Sequence, residues 1–168
     1  FDMMLDMAKR VMNTIGSVYR MYLDDGRKVY LQYVAIDRSM LNSGVLRVFK
    51  KKYSQDDVED IEEIVRGEVW FYTHTSLRPA IRDGCWEKIG SSRFWGDTTN
   101  IKFRLYSEGN TSHLTVSHKW YVWTINQENI HIGDLTGEYK KYDMGWLYPP
   151  SFVCTKIKTG KYPNHELE

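Results

Sequence analysis

Hydrophobic and polar residues change their spacing several times along the chain, and each change marks an element. Met4, Met7, Ala8 and Val11 recur at helical spacing before Gly16, which predicts a short opening helix. From Val18 the period drops to two. Residues 18–23 and 29–36 are β-rich runs joined by Asp24-Asp25-Gly26. An Asp-Gly pair there predicts a tight hairpin, because glycine accepts the positive φ such turns require. Residues 45–49 read as a third strand reached through Asn42-Ser43-Gly44, so the three strands should form an antiparallel meander.

Ser54 opens the next element, with Asp57 three residues on as a weaker form of the capping box. Val58, Ile61, Ile64 and Val65 make one apolar stripe, with acidic residues early and on the other face, which predicts a helix ended by Gly67. Further strands are expected at 68–73, 101–105, 114–116 and 120–125, and the stretch 77–86 as a turn or short helix interrupted by Pro79 and Gly84. Pro149-Pro150-Ser151 should start a last helix with Phe152, Val153 and Ile157 inward and Gly160 closing it. No repeat or linker divides the 168 residues, which suit a single domain over 1–168 with a core that needs neither disulfide nor metal. The expected fold is α+β: a strongly bent antiparallel sheet or small barrel flanked by two or three helices.

Composition adds one emphasis. Aromatic residues reach 14%, with 12 Tyr, 6 Trp and 6 Phe. Tyr and Trp join a large apolar body to a polar tip, which suits half-buried strands and binding surfaces alike. Trp120 and Trp123 stand an odd distance apart and should face opposite sides of their strand. At least one should then lie outside the core, beneath a helix, a partner or a ligand, and both are candidate partner-binding residues.

Charge is nearly balanced at +1, from 23 Lys and Arg against 22 Asp and Glu, which argues against a general attraction to nucleic acid or to an anionic membrane. A local basic excess runs from Arg27 to Lys52 and could hold a weak polyanion patch with Tyr30 and Tyr33, although a solvated strand end explains it as simply. The acidic block that follows supplies four further candidate partner-binding residues, Asp56, Asp57, Asp60 and Glu63. Cys85 and Cys154 form no metal-ligand spacing and read as reduced core residues of a cytoplasmic protein. No run of ~18 apolar residues suggests a membrane span. The chain starts at Phe1 rather than Met, so upstream residues are expected and a targeting segment there stays open.

His74-Thr75-Ser76-Leu77 and His113-Leu114-Thr115-Val116 share the order His, any residue, hydroxyl, apolar. The pair resembles the signature of the two-histidine phosphoesterases. That resemblance implies His74 and His113 as general base and acid on a phosphodiester, with Ser76 and Thr115 holding the phosphate. It requires both imidazoles to face one cleft. The plainer reading makes His74 a strand-end residue bonded to its neighbours and His113 a loop residue. His113 and His118 have an odd offset and cannot share a metal from one strand face. No phosphate loop, nucleophile elbow or zinc signature is present, so neither cofactor nor metal is expected.

A wider resemblance covers most of the chain. Ile15-Gly16-Ser17-Val18-Tyr19, Leu23-Asp24-Asp25-Gly26 and Tyr30-Leu31-Gln32-Tyr33-Val34 resemble the start of the immunity protein 26 family, antitoxins encoded beside bacterial polymorphic toxins. The later blocks Leu41-Asn42-Ser43, 45–53, Phe71-Tyr72-Thr73-His74-Thr75, Trp86-Glu87-Lys88-Ile89-Gly90 and Trp120-Tyr121-Val122-Trp123 are similar to recurring blocks in uncharacterised bacterial proteins of this size. The resemblance implies a non-enzymatic module that binds and neutralises a cognate toxin by surface complementarity. Aromatic side chains would anchor the contact, and the acidic residues 56–63 would steer a basic nuclease toxin or mimic its nucleic acid. The phosphodiesterase is the alternative reading, and self-association stays open.

Overall fold

The structure, a computed structural model, describes residues 13–168; the helix expected around Met4 to Val11 lies outside them. The expected meander forms. Strands β1 (Ser17–Tyr22), β2 (Lys28–Asp37) and β3 (Ser43–Phe49) pair antiparallel, with Val18 opposite Gln32 and Gln32 opposite Arg47. Gly26 takes φ 85° in the first turn, as the Asp-Gly signal requires. Strands β4 (Val69–Thr75), β5 (Glu87–Ser91) and β10 (Leu147–Tyr148) complete a six-stranded sheet in the order β10-β4-β3-β2-β1-β5. A second sheet of four contains β6 (Lys102–Tyr106), β7 (Trp120–Thr124), β8 (Ile130–Gly133) and β9 (Asp143–Met144), in the order β8-β7-β6-β9.

The fold is therefore mixed α+β with two sheets, and neither closes into a barrel. Pairing is not purely antiparallel either: β10 runs parallel to β4 and β9 parallel to β6. Among the described residues there are three α-helices, α1 (Ile61–Ile64), α2 (Leu77–Arg82) and α3 (Pro150–Thr159), and a 3-10 helix at Gly137–Lys141. Helix α3 begins with Pro150 in its first turn and ends at Gly160, φ 88°, whose N–H donates to Lys156 O at 2.7 Å. Val153 and Ile157 are buried as expected, while Phe152 is only partly covered.

Two expected elements fail, the first because side chains capture the backbone locally and the second because the chain's last residues take its backbone bonds. The helix predicted from Ser54 is a turn as far as Asp60. There Asp57 accepts from Ser54 N at 2.8 Å, and its own N–H donates to Ser54 O at 3.1 Å. Asp60 is the true N-cap, accepting from Glu63 N, and only four helical residues follow. Val58, expected in the buried stripe, is 90% exposed. The strand expected at 114–116 is also absent. Thr115 and Ser117 exchange backbone hydrogen bonds with Glu168 instead, at 2.9 and 3.1 Å.

Cross-strand register gathers Val18, Gln32, Arg47 and Tyr72 on one face of the larger sheet, with Tyr30 and His74 two residues further along their strands. Both ends of that face are covered. At one end Val18, Tyr30, Phe49, Tyr53, Ile64 and Val65 form a cluster beneath α1. At the other the smaller sheet packs down through Phe103 and Trp123 onto His74. Between them Arg47 is 4% exposed and forms no ion pair among the described residues. Its Nε and Nη2 donate to Gln32 Oε1 at 2.9 and 2.7 Å, and Nη2 also to Val65 O at 2.7 Å. Gln32 passes the chain on to Phe94 O at 2.9 Å, so the buried cation sits in a satisfied polar network.

Candidate partner-binding site

Asp37 ends β2 and is fully buried where the two sheets meet. Its Oδ2 accepts from Trp123 Nε1 at 2.9 Å and lies 2.9 Å from His74 Nε2. Its Oδ1 accepts from Asn126 N at 3.1 Å, from Ser39 N at 3.0 Å and from the Ser39 hydroxyl. Burial alone would raise this carboxyl, but the hydrogen bonds from His74, Ser39, Trp123 and Asn126 outweigh it and hold it far below the usual carboxylate range. Facing an ionised oxygen, His74 Nε2 carries the proton and donates. Its Nδ1 is buried without a partner among the described residues, and its ring packs 4.1 Å from that of Phe103. His74 is thus a strut between sheets.

The carboxylate fixes two loops at once. Ser39 belongs to the β2–β3 connection, in which Leu41 and Asn42 take φ 55° and 52°; Asn126, φ 63°, turns the chain after β7. Left-handed backbone at non-glycine residues costs energy and persists only where its surroundings impose it. A further bond, from Arg38 N to Asn126 Oδ1 at 2.8 Å, ties loop to loop. Between them lies a recess of about 630 Å³ whose floor is Trp123 and Tyr121, with rings stacked at 5.7 Å, and whose rim includes Arg38, Gln127 and Glu128. Rigid aromatic floors with polar rims are what protein-binding hot spots are made of.

The acidic residues form a separate surface. Asp56, Asp57, Asp60 and Glu63 are exposed around Val58. The Tyr53 hydroxyl is raised, first by burial and then by the negative charges of Glu63, Asp57 and Asp60, which converge on it. Asp57 and Asp60 each accept one backbone bond, and Glu63 lies 3.7 Å from Lys51. The Asp56 carboxylate has no partner among the described residues. Tyr53 bridges Lys28 at the start of β2, whereas Asp37 is its last residue. At ~3.3 Å per residue the two surfaces lie about 30 Å apart.

The structure rearranges the other candidates. Trp120 and Trp123 do occupy opposite faces of β7, yet both are core residues, at 0% and 4% exposure. The expectation that one would lie outside the core fails because β7 is covered on both sides. Trp123 faces the larger sheet. Trp120 packs edge-on to Tyr106 at 5.1 Å beneath the Arg104 guanidinium, and the Leu167 backbone bonds the Tyr106 hydroxyl. The two-histidine arrangement has no cleft: His74 has no exposed surface, whereas His113, Ser76 and Thr115 are exposed. Nor do the basic residues from 27 to 52 make one surface. Lys28 and Arg47 are buried, and Arg27, Lys50 and Lys51 pair with Asp25, Glu68 and Glu63. Among the described residues no group of three His, Cys, Asp or Glu could hold a metal, and no helix is long and apolar enough to cross a membrane.

A second, partly buried acid is destabilising at neutral pH. Asp143 on β9 accepts from Tyr72 N at 2.9 Å, and burial raises it to about 6 despite that bond and the nearby Lys156 and Arg104. Its folded value exceeds its unfolded one, so its cost is absent in acid and grows as pH rises from about 4 to about 6. Asp143→Asn is therefore expected to gain about 1–3 kcal/mol over the parent at neutral pH, a gain that disappears below about pH 4. Urea unfolding at the two pH values measures it, and an equal effect at both would refute the assignment.

The fold and its surface thus define a small α+β protein with a rigid aromatic recess and a separate acidic face. The sequence profile of Immunity protein 26 matches residues 14–113, more than half of the chain, and the chain belongs to that family. The match takes in β1 to β6 and ends before β7. No curated protein and no solved structure matches the chain.

Proposed function

We propose that this protein neutralises a cognate bacterial toxin in the cytoplasm by binding it stoichiometrically, without turnover. Family membership carries the reading, since an immunity protein acts on a toxin partner. The contact is assigned to the acidic face, Asp56, Asp57, Asp60 and Glu63, with the protruding Val58 at its centre. Clustered carboxylates raise the encounter rate of a basic partner and stand in for the phosphates a nuclease toxin would hold. Trp120 and Trp123 lie away from this face; Trp120 is core, and Trp123 could meet a partner only at the floor of the recess.

The test uses the toxin domain encoded beside this gene, titrated with the purified protein by calorimetry and by a toxin activity assay. A one-to-one complex that abolishes toxin activity is expected. Reversing Asp56, Asp57 and Asp60 to lysine should slow association about 10- to 100-fold at low salt and much less at high salt. Free toxin activity at saturating protein would overturn the immunity reading.

The Tyr121 recess is favoured as a second contact surface by its two loops being fixed in advance, which removes an ordering cost from binding. Loss of affinity in Tyr121→Ala, with the charge reversals silent, would move the contact there.

A further inference from the structure

Cys85 and Cys154 are far apart in sequence, yet the fold brings them together. Cys85 follows α2, with its N–H donating to Ala80 O at 2.8 Å. Cys154 lies on α3, where its Sγ is 3.9 Å from Cys85 O. Both are free thiols, each partly exposed and packed against the same core, and the two side chains are hydrogen-bond neighbours. Helices α2 and α3 touch, so a covalent link between these positions needs no long movement of the backbone.

We infer that Cys85 and Cys154 form a modification site that undergoes thiol–disulfide exchange with a small-molecule disulfide of the glutathione class, closing a bond between the end of α2 and α3. One thiolate attacks the small disulfide, forming a mixed disulfide and releasing one glutathione thiolate. The second protein thiolate then attacks the protein sulfur of that mixed disulfide and releases the other. Two protein thiols are oxidised, one glutathione disulfide is reduced to two thiols, and the protons given up by the protein end on the glutathione. The order of the two attacks follows from their surroundings. Burial, then the neighbouring Cys85 thiol, pushes the Cys154 thiol up to about 12, so Cys154 is the poorer first nucleophile at neutral pH. The mixed disulfide forms on Cys85 and Cys154 resolves it.

The bond would close a loop across 69 positions of chain. It would also fix the helix that supplies Leu77, Arg78 and Arg82 to a second recess, of about 710 Å³, beside the β2–β3 connection. The proposal does not depend on the immunity reading.

The fully reduced, folded protein is incubated with oxidised glutathione at about pH 8, quenched in acid, alkylated and mapped by mass spectrometry. The expected product is an intramolecular Cys85–Cys154 peptide, with a melting temperature raised by about 5 °C or more and restored by a dithiol reductant. Cys154→Ser should stop with one glutathionyl group on Cys85, while Cys85→Ser stays unmodified over the same interval. The inference fails if both thiols remain alkylatable after incubation, if glutathione stays on both, or if disulfide-linked dimers form instead.

Discussion

Replacing Asp37 by alanine is expected to cost about 3–5 kcal/mol of folding stability, measured as a lower urea midpoint. The carboxylate is the common acceptor for His74 and Trp123 side chains, the Ser39 hydroxyl and two backbone N–H groups, all at a fully buried position. Alanine would leave those donors facing one another across a cavity. Because the folded carboxyl is held below its unfolded value, its contribution is complete above about pH 5 and is lost only as acidity increases further. The stability gap between the parent and Asp37→Asn should therefore be flat from neutral pH down to about 5 and narrow below it. A gap that opens only on acidification would contradict the assignment. The recess offers a second readout: Arg38 and Asn126 should show faster amide exchange in Asp37→Ala.

Gly145→Ala is expected to cost about 2–4 kcal/mol through overpacking. A Cβ at this position would stand 2.2 Å from Trp123 Cη2, 2.9 Å from Cζ2 and 3.1 Å from Phe103 Cβ. None of these neighbours is the free end of a flexible side chain. The indole would have to leave its place, and its Nε1 bond to Asp37 would go with it. Gly109→Ala is the control, since no described residue lies within 4 Å of a Cβ there, and its effect should stay within about 0.5 kcal/mol. The Trp123 indole N–H resonance distinguishes a displaced ring from general destabilisation. If that resonance is unmoved, the close-packing argument is wrong.

Local chemistry made much of this legible in the sequence. Asp25-Gly26 dictated the first hairpin, and Pro150 with Gly160 bracketed the last helix, because turn and cap preferences act over a few residues. The failures have two sources. Periodicity at Val58, Ile61, Ile64 and Val65 resembled a helix face, but Asp and Ser side chains held the backbone in turns before Asp60. Alternation put Trp120 and Trp123 on opposite faces correctly, and only the three-dimensional packing showed that both faces are covered.

The recess was not foreseen, although one local sign of it was present. An aspartate ending an apolar run with serine two residues later is an Asx-turn pattern, and Ser39 N donates to Asp37 Oδ1 as such a turn demands. Nothing local could reveal that Trp123 and Asn126, more than eighty residues on, would complete the carboxylate's shell. The immunity resemblance was legible because the aromatic strands of the meander and its turn residues sit close together in sequence, and the family match covers them.

That long reach matters while the chain is being made. Asp37 bonds partners 37, 86 and 89 residues downstream, and the last two lie beyond the family-matched stretch. At ribosomal speeds the interval between the emergence of Asp37 and that of Asn126 is on the order of ten seconds. Through that interval β1 to β5 of the larger sheet can assemble without β10, but the face that will receive Phe103 and Trp123 is bare, with an ionised carboxylate at its edge. Docking of the second sheet is thus the late, high-contact-order event of folding. A nascent chain stalled near residue 113 should present a sticky surface for a chaperone rather than a smaller folded protein.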